Sequence, residues 1–134
     1  MGNSRLRVVL HTVFSTKFRH PTLTPTIEPA LLEFMSKTLV ENGARVIEIN
    51  GGLDHVHIVH TLPSTLALAD LMQRVKGSSS HWVSRAFPET HSKFRWQGGY
   101  ACHSVNYREY RALRRYVREQ KARHGLEGLF GEGD

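Results

Sequence analysis

The sequence predicts an α+β domain in which a four-stranded antiparallel sheet carries helices in the order β-α-β-β-α-β-α. Three observations support this. Strand-length apolar runs occupy Arg5 to Ser15, Arg45 to Asn50 and His55 to Leu62. Two longer windows repeat apolar residues at helical spacing. Gly, Pro and Asn separate the runs at the points where the rhythm changes.

Taken in order, the Val- and Phe-rich run from Arg5 to Ser15 is the first strand, and Lys17-Phe18-Arg19-His20-Pro21 breaks it into a loop. Pro25 and Pro29 allow a helix only from about Thr26, because proline suits a first turn and not an interior. Leu31, Leu32, Phe34, Met35, Leu39 and Val40 give that helix its apolar face, and Asn42-Gly43 ends it. Arg45 to Asn50 and His55 to Leu62 are strands joined by a turn at Gly51-Gly52. Pro63-Ser64-Thr65 signals the next helix start, with Leu68, Leu71, Met72, Val75, Trp82 and Val83 as its stripe. Gly77 interrupts this stripe, as close packing or a kink would require, and Pro88 ends the helix. Phe94 to Val105 leads into a short fourth strand, and Tyr107 to Arg123 is a final helix. Four strands and two crossing helices in this order make a ferredoxin-like, split βαβ sheet with the third strand central. The domain spans 1–124, and the Gly- and Glu-rich stretch 125–134 reads as a flexible tail.

The length of 134 residues fits one domain that can bury a modest core without disulfides. Cys102 is the single cysteine, so no internal disulfide forms, in agreement with a reducing cytoplasm. The sequence has no secretory signal pattern and no apolar run of bilayer-spanning length, so a cytoplasmic protein without a membrane partner is expected. The net charge of +6 points to a polyanionic partner, most often nucleic acid. Seven of the 18 Lys and Arg fall between Arg108 and Arg123, where a basic helix face can grip phosphates or simply be solvated.

His55 and His57 are the candidate metal ligands. Side chains alternate along a strand, so both point to one face, while His60 faces the other. Two imidazoles at this spacing can hold one divalent ion and leave coordination positions open for substrate. With nine histidines in the chain, a chance pair is also possible, and His11, central in an apolar run, suits either a supporting contact or a satisfied core position. Among four tyrosines, Tyr116 has useful company: Gln120 follows at i+4 on the same helix face. A tyrosine oxygen can attack a phosphodiester when a metal neutralises the non-bridging oxygens. Half-burial of Tyr116 and solvation of Gln120 would account for the same spacing.

Taken together, these segments resemble the single-tyrosine HUH transposases of the TnpA type, including REP-associated tyrosine transposases. The resemblance runs from about His11 to His124. It includes Val13-Phe14-Ser15-Thr16-Lys17-Phe18-Arg19, Asp54-His55-Val56-His57, Leu71-Met72-Gln73-Arg74-Val75-Lys76-Gly77-Ser78-Ser79, Trp96-Gln97-Gly98-Gly99-Tyr100 and Tyr116-Val117-Arg118-Glu119-Gln120. It implies that His55, His57 and Gln120 hold a divalent metal, Mg2+ or Mn2+, and that Tyr116 is the nucleophile. It also implies cleavage and rejoining of single-stranded DNA beside hairpins through a 5′-phosphotyrosine, in a homodimer whose tyrosine helix can dock in the partner's site. The segments Tyr100 to Asn106 and Tyr107 to Arg115 depart from the family pattern, which bears on target preference more than on chemistry.

Four further cations are candidate DNA contacts: Lys17 and Arg19 after the first strand, and Arg74 and Lys76 beside Gly77. Phe94, Trp96 and Tyr100 suit either base stacking or the core. Asp54 suits either orientation of a histidine ligand or shaping of the turn. A non-cleaving hairpin-binding module and a phosphodiesterase that activates water are the alternative functional readings.

Overall fold

Strand alternation sorts the sheet residues into two faces, and helices cover both. The structure is a computed structural model and describes residues 6–90, 94–106 and 108–119. Its elements are β1 (Val9–Ser15), α1 (Glu28–Glu41), β2 (Val46–Gly51), β3 (His55–Thr61), α2 (Leu68–Ala86), β4 (Ala101–Ser104) and α3 (Tyr110–Arg118). The sheet order is β2-β3-β1-β4, and every neighbouring pair is antiparallel. This is the ferredoxin-like arrangement the sequence predicts, with β3 and β1 central.

Leu10, Thr12 and Phe14 of β1 lie opposite His60, Ile58 and Val56 of β3. Phe14, Val56 and Ile58 join Leu31, Met35 and Leu39 of α1 and Leu71, Met72 and Val75 of α2 in the hydrophobic core. Burying each such side chain is worth roughly 1.5–3 kcal/mol before chain entropy is set against it. The opposite face carries His11, Val13 and Ser15 of β1 and His55, His57 and Val59 of β3. Helix α3 packs on β2 and β3 and buries Val117 completely.

The boundaries differ from the sequence expectation in instructive places. The first strand starts at Val9 rather than Arg5, where pairing to Thr61 begins. Thr24 organises a turn that accepts the amides of Ile27 and Glu28, so α1 starts at Glu28 and not Thr26. It ends at Glu41, and the chain turns away at Gly43, whose φ of +93° suits glycine and where an added Cβ would press on Pro63. In the β2–β3 hairpin, a Cβ on Gly51 would collide with the His55 carbonyl, so the glycine permits a close strand approach. Pro63-Ser64-Thr65 does not start α2. The helix begins at Leu68 with no side-chain cap, after a loop in which Leu62 and Leu66 already pack on the core. Gly77 causes no break in α2, and nothing lies within 4 Å of its Cβ position, so neither packing nor a kink explains it. The Asn106 side chain accepts the Glu109 amide at 2.9 Å and sets α3 to begin at Tyr110; Tyr107 and the expected C-terminal turns from residue 120 lie outside the described residues.

Phe18 and Arg19 both have φ of 57°. The left-handed region costs a bulky residue on the order of 1–2 kcal/mol, so the surrounding contacts must impose it.

Candidate active site

Antiparallel register explains the assembly of the site. His55 and His57 are each 1% exposed on the α3 face, with ring centroids 5.2 Å apart and planes nearly perpendicular. Asp54 Oδ1 accepts a hydrogen bond from His55 Nδ1 at 2.8 Å, which places the remaining imidazole lone pair on Nε2. Arg19 Nε donates to the other carboxylate oxygen at 3.2 Å, and the Asp54 carbonyl accepts the Thr16 amide. Asp54 therefore both orients a histidine and shapes the turn. Burial alone would raise its carboxyl pKa, but the hydrogen bonds from His55 and Arg19 outweigh this and hold it below the usual carboxylate range.

His57 meets a third imidazole. His11 Nε2 lies 2.9 Å from His57 Nδ1, and the rings overlap at 5.1 Å. Burial, with the nearby His11 and His55, pushes His57 down to about 3. Burial, with His103 and His60, pushes His11 down to about 4. Neutral imidazole is the ligating form, so burial keeps His57, with His11 beside it, ready for a cation at neutral pH. With His57 as donor to His11, its lone pair also sits on Nε2, matching His55. Two such nitrogens on one face fit a divalent ion that keeps open positions. Among the described residues no three His, Cys, Asp or Glu side chains gather as a metal site, and Gln120 lies outside the described residues.

Tyr116 reaches this pocket from α3. Its ring centroid is 5.9 Å from that of His57, edge to face. Glu48 and Asn50 of β2 hold the helix there. Arg114 Nε and an Arg118 amino group approach Glu48 Oε1 at 3.3 and 3.4 Å, and Asn50 Nδ2 donates to the Arg118 carbonyl at 3.0 Å. The register of β2 shifts between Val46 and Glu48, after which Glu48 and Asn50 pair with Val59 and His57. The structure thus brings together His55, His57 and Tyr116 within one chain.

The four predicted DNA contacts separate. Lys17 and Arg19 follow the end of β1; Arg19 pairs with Asp54 beside the site, whereas Lys17 lines a cleft with Arg95, Trp96 and residues of α2. Lys76 is partly buried, with Nζ 2.7 Å from the Gln97 carbonyl and 2.6 Å from that of Gly99; it ties α2 to the loop before β4. Burial pushes its ammonium pKa down. Arg74 donates to Asn42 Oδ1 at 2.7 Å, towards the end of α1. Phe94 and Trp96 pack edge to face with each other, and Trp96 also with Phe14, so these aromatics serve the core. Tyr100 remains exposed. His60 is fully buried on the opposite face, as its strand phase predicts, with Nε2 2.8 Å from the Thr12 hydroxyl. The contact between His11 and His57 was open in the sequence, because it depends on which β1 residue lies diagonally across from His57.

Comparison with known proteins agrees with the fold and gives the family. The family model for IS200-like transposases matches residues 4–120. The ISDra2 transposase TnpA of Deinococcus radiodurans is 24% identical over 114 residues, covering 82% of this chain and 81% of that one. The transposase for insertion sequence element IS200 of Salmonella typhimurium is 24% identical over 109 residues, covering 78% and 72%. A REP-associated tyrosine transposase solved bound to a REP hairpin superposes with a TM-score of 0.70 at 18% identity, covering 95% of this chain and 76% of the other. With the family model spanning nearly all of the described fold, from before β1 to the end of α3, this chain belongs to the IS200-like transposase family.

Proposed function

We propose that this protein cuts and rejoins single-stranded DNA next to hairpins through a covalent 5′-phosphotyrosine on Tyr116. The observation that carries the reading is the approach of Tyr116 to His57, whose neighbour His55 is oriented by Asp54. The phenol oxygen attacks a backbone phosphorus as the bond to the 3′ oxygen breaks. The phenol gives up its proton, and the departing 3′ oxygen gains one. A 3′-hydroxyl from a second junction then attacks the phosphotyrosine, which restores the phenol and joins the strands. The ester bond is exchanged rather than hydrolysed, so no nucleotide triphosphate is consumed.

In this reading His55, His57 and Gln120 would hold Mg2+ or Mn2+, which would supply charge neutralisation at the reacting phosphate. Lys17 and Arg19 stand where the strand passes the end of the sheet, and the basic helix α3 adds positive charge. The hairpin preference is supported by the fold neighbour solved with a REP hairpin. Assembly as a homodimer belongs to the same reading, with each chain completing its own site in the arrangement described. Among the described residues no helix is long and apolar enough to cross a membrane.

Labelled hairpin DNA resolved on a denaturing gel tests the proposal. A protein-linked DNA band supports it. Binding without cleavage would favour a hairpin-binding module, and cleavage with no linked band would favour a phosphodiesterase using water.

A further inference from the structure

We propose that Phe18, Lys17 and Arg95 form a nucleotide subsite, in which the Phe18 ring stacks on an unpaired base and the adjoining cleft receives a backbone phosphate. The inference rests on the reading of the protein as a single-stranded DNA transposase and adds residues that hold the strand beside the reacting phosphate.

Phe18 is 73% exposed and has φ of 57°. A turn that only had to reverse the chain would be easier with Gly or Asn and would not display an aromatic ring to water. The loop is nevertheless fixed on every side. The Lys17 amide donates to the Arg95 carbonyl at 2.7 Å, and the Arg19 amide to the Thr16 carbonyl at 3.0 Å. The Thr16 hydroxyl donates to the His20 carbonyl at 2.8 Å, and Arg19 pairs with Asp54. The ring is therefore presented by a rigid frame.

Lys17 connects the ring to the cleft. Its Nζ lies 5.6 Å from the Phe18 centroid, and its side chain also lines a cleft of about 480 Å³. Arg95, Lys76, Gln73, Ser80 and Trp96 line the rest, together with Gly77, and no carboxylate is among the lining residues. Among the described residues neither Lys17 nor Arg95 has an acidic partner within ion-pair distance. The open space over Gly77, which packing leaves unexplained, lets a phosphate come close to α2. Trp96 Nε1 donates to Ser79 Oγ at 3.0 Å and keeps the cleft wall in place.

The position links this corner to the chemistry. Ser15 pairs with His55, and the amide of Thr16 donates to the Asp54 carbonyl at 2.9 Å. The next residues are Lys17 and Phe18. A strand with one phosphate between His55 and Tyr116 can therefore pass around the end of the sheet onto Phe18 and into the cleft. An aromatic platform with two cations beside it is suited to an unpaired nucleotide, whose base offers a π-face and whose phosphate offers charge.

Fluorescence anisotropy with two labelled hairpins, one blunt and one carrying a single-stranded flank, tests this. Phe18→Gly removes the ring and relieves the backbone, so its thermal midpoint should equal or exceed that of the wild type. Its affinity for the flanked hairpin should fall roughly 5- to 100-fold, the loss of one stacked base, with blunt-hairpin affinity and salt slope unchanged. Phe18→Trp should retain binding. Lys17→Gln and Arg95→Gln should each flatten the slope of log affinity against log salt by about one. Exposed Lys37 on α1 supplies a control, since Lys37→Gln should change neither quantity. If wild type forms the covalent adduct while Phe18→Gly binds the flanked hairpin as tightly, the subsite is overturned and the transposase reading stands. If wild type neither binds hairpin DNA nor forms an adduct, the transposase reading falls and the subsite with it.

Discussion

His11 Nε2 lies 2.9 Å from Nδ1 of His57, so a residue outside the His-x-His pair sets the orientation of its second imidazole. Partners of this kind fix tautomer and ring angle, and their loss commonly lowers metal affinity 10- to 100-fold. His11→Leu should therefore raise the Mn2+ concentration needed for half-maximal adduct formation by about that factor, while hairpin binding persists. His11→Asn, which can still hydrogen-bond, should recover part of the effect. An unchanged metal titration in His11→Leu would remove His11 from the site.

The nucleophile is the most direct target. Tyr116→Phe removes one oxygen and keeps the ring contact with His57. Adduct should vanish on a denaturing gel while hairpin binding and thermal midpoint change little. Tyr110→Phe, at the start of α3, should still form adduct. Covalent competence in Tyr116→Phe would show that another residue attacks.

Metal dependence separates the ligands by donor strength. His55→Ala and His57→Ala should each abolish cleavage, as should chelation with EDTA. Gln120→Ala should reduce it less, because a neutral amide oxygen is a weaker ligand than imidazole and water can replace it. Cleavage that continues in metal-free buffer would end the assignment of all three.

Acid should destabilise the fold through His60. Its Nδ1 is 2.9 Å from the Thr61 carbonyl, which can only accept, so Nδ1 carries the proton and Nε2 accepts from Thr12. Burial lowers its pKa, and the bond to Thr61 offsets this only in part. The folded pKa is below the unfolded value of 6.5, so the folded state favours the neutral ring. This contribution to stability is complete above pH about 6.5 and declines as pH falls towards the folded value. Denaturant midpoints measured from pH 7.5 down to 4.5 should fall, and His60→Gln should show a shallower fall. Equal slopes in the two proteins would assign the acid lability to other groups.

Much of this arrangement was legible in the sequence because strand and helix periods are local. The parity of His55, His57 and His60 along β3 was enough to put the first two on one sheet face and the third on the other. The i, i+4 spacing predicts Tyr116 and Gln120 on one helix face; Tyr116 is found on α3 beside His57, Gln120 lies outside the described residues, and the register of the helix on β2 was not readable. What escaped were relations between segments. The diagonal of His11 to His57 depends on β1–β3 register, and the Glu48 contacts depend on a shift inside β2. Pro63-Ser64-Thr65 carried a helix-start signal, but the packing of Leu66 and Leu68 set the start three residues later. The charge of Lys76 is visible in the sequence, whereas the two carbonyls that its ammonium meets come from residues 97 and 99 and were not.

Placement of α3 yields the last prediction. Glu48 and Asn50 hold Arg114 and Arg118, and Val117 is fully buried, so α3 sits on its own chain's sheet with Tyr116 beside His57. A Tyr116→Phe chain mixed with a His57→Ala chain tests whether that arrangement is the reacting one. In cis, every site in the heterodimer lacks either the phenol or the imidazole, so the mixture should stay inactive. Exchange of helices between subunits would pair one intact His57 with one intact Tyr116 and restore part of the activity. Glu48→Ala weakens two exposed ion pairs worth up to about 1 kcal/mol each, so the fold should survive while α3 loosens. If the mixture regains adduct formation only when both chains carry Glu48→Ala, the Glu48 contacts hold the helix in cis. Recovery in the mixture with Glu48 intact would mean that α3 reacts from the partner despite these contacts.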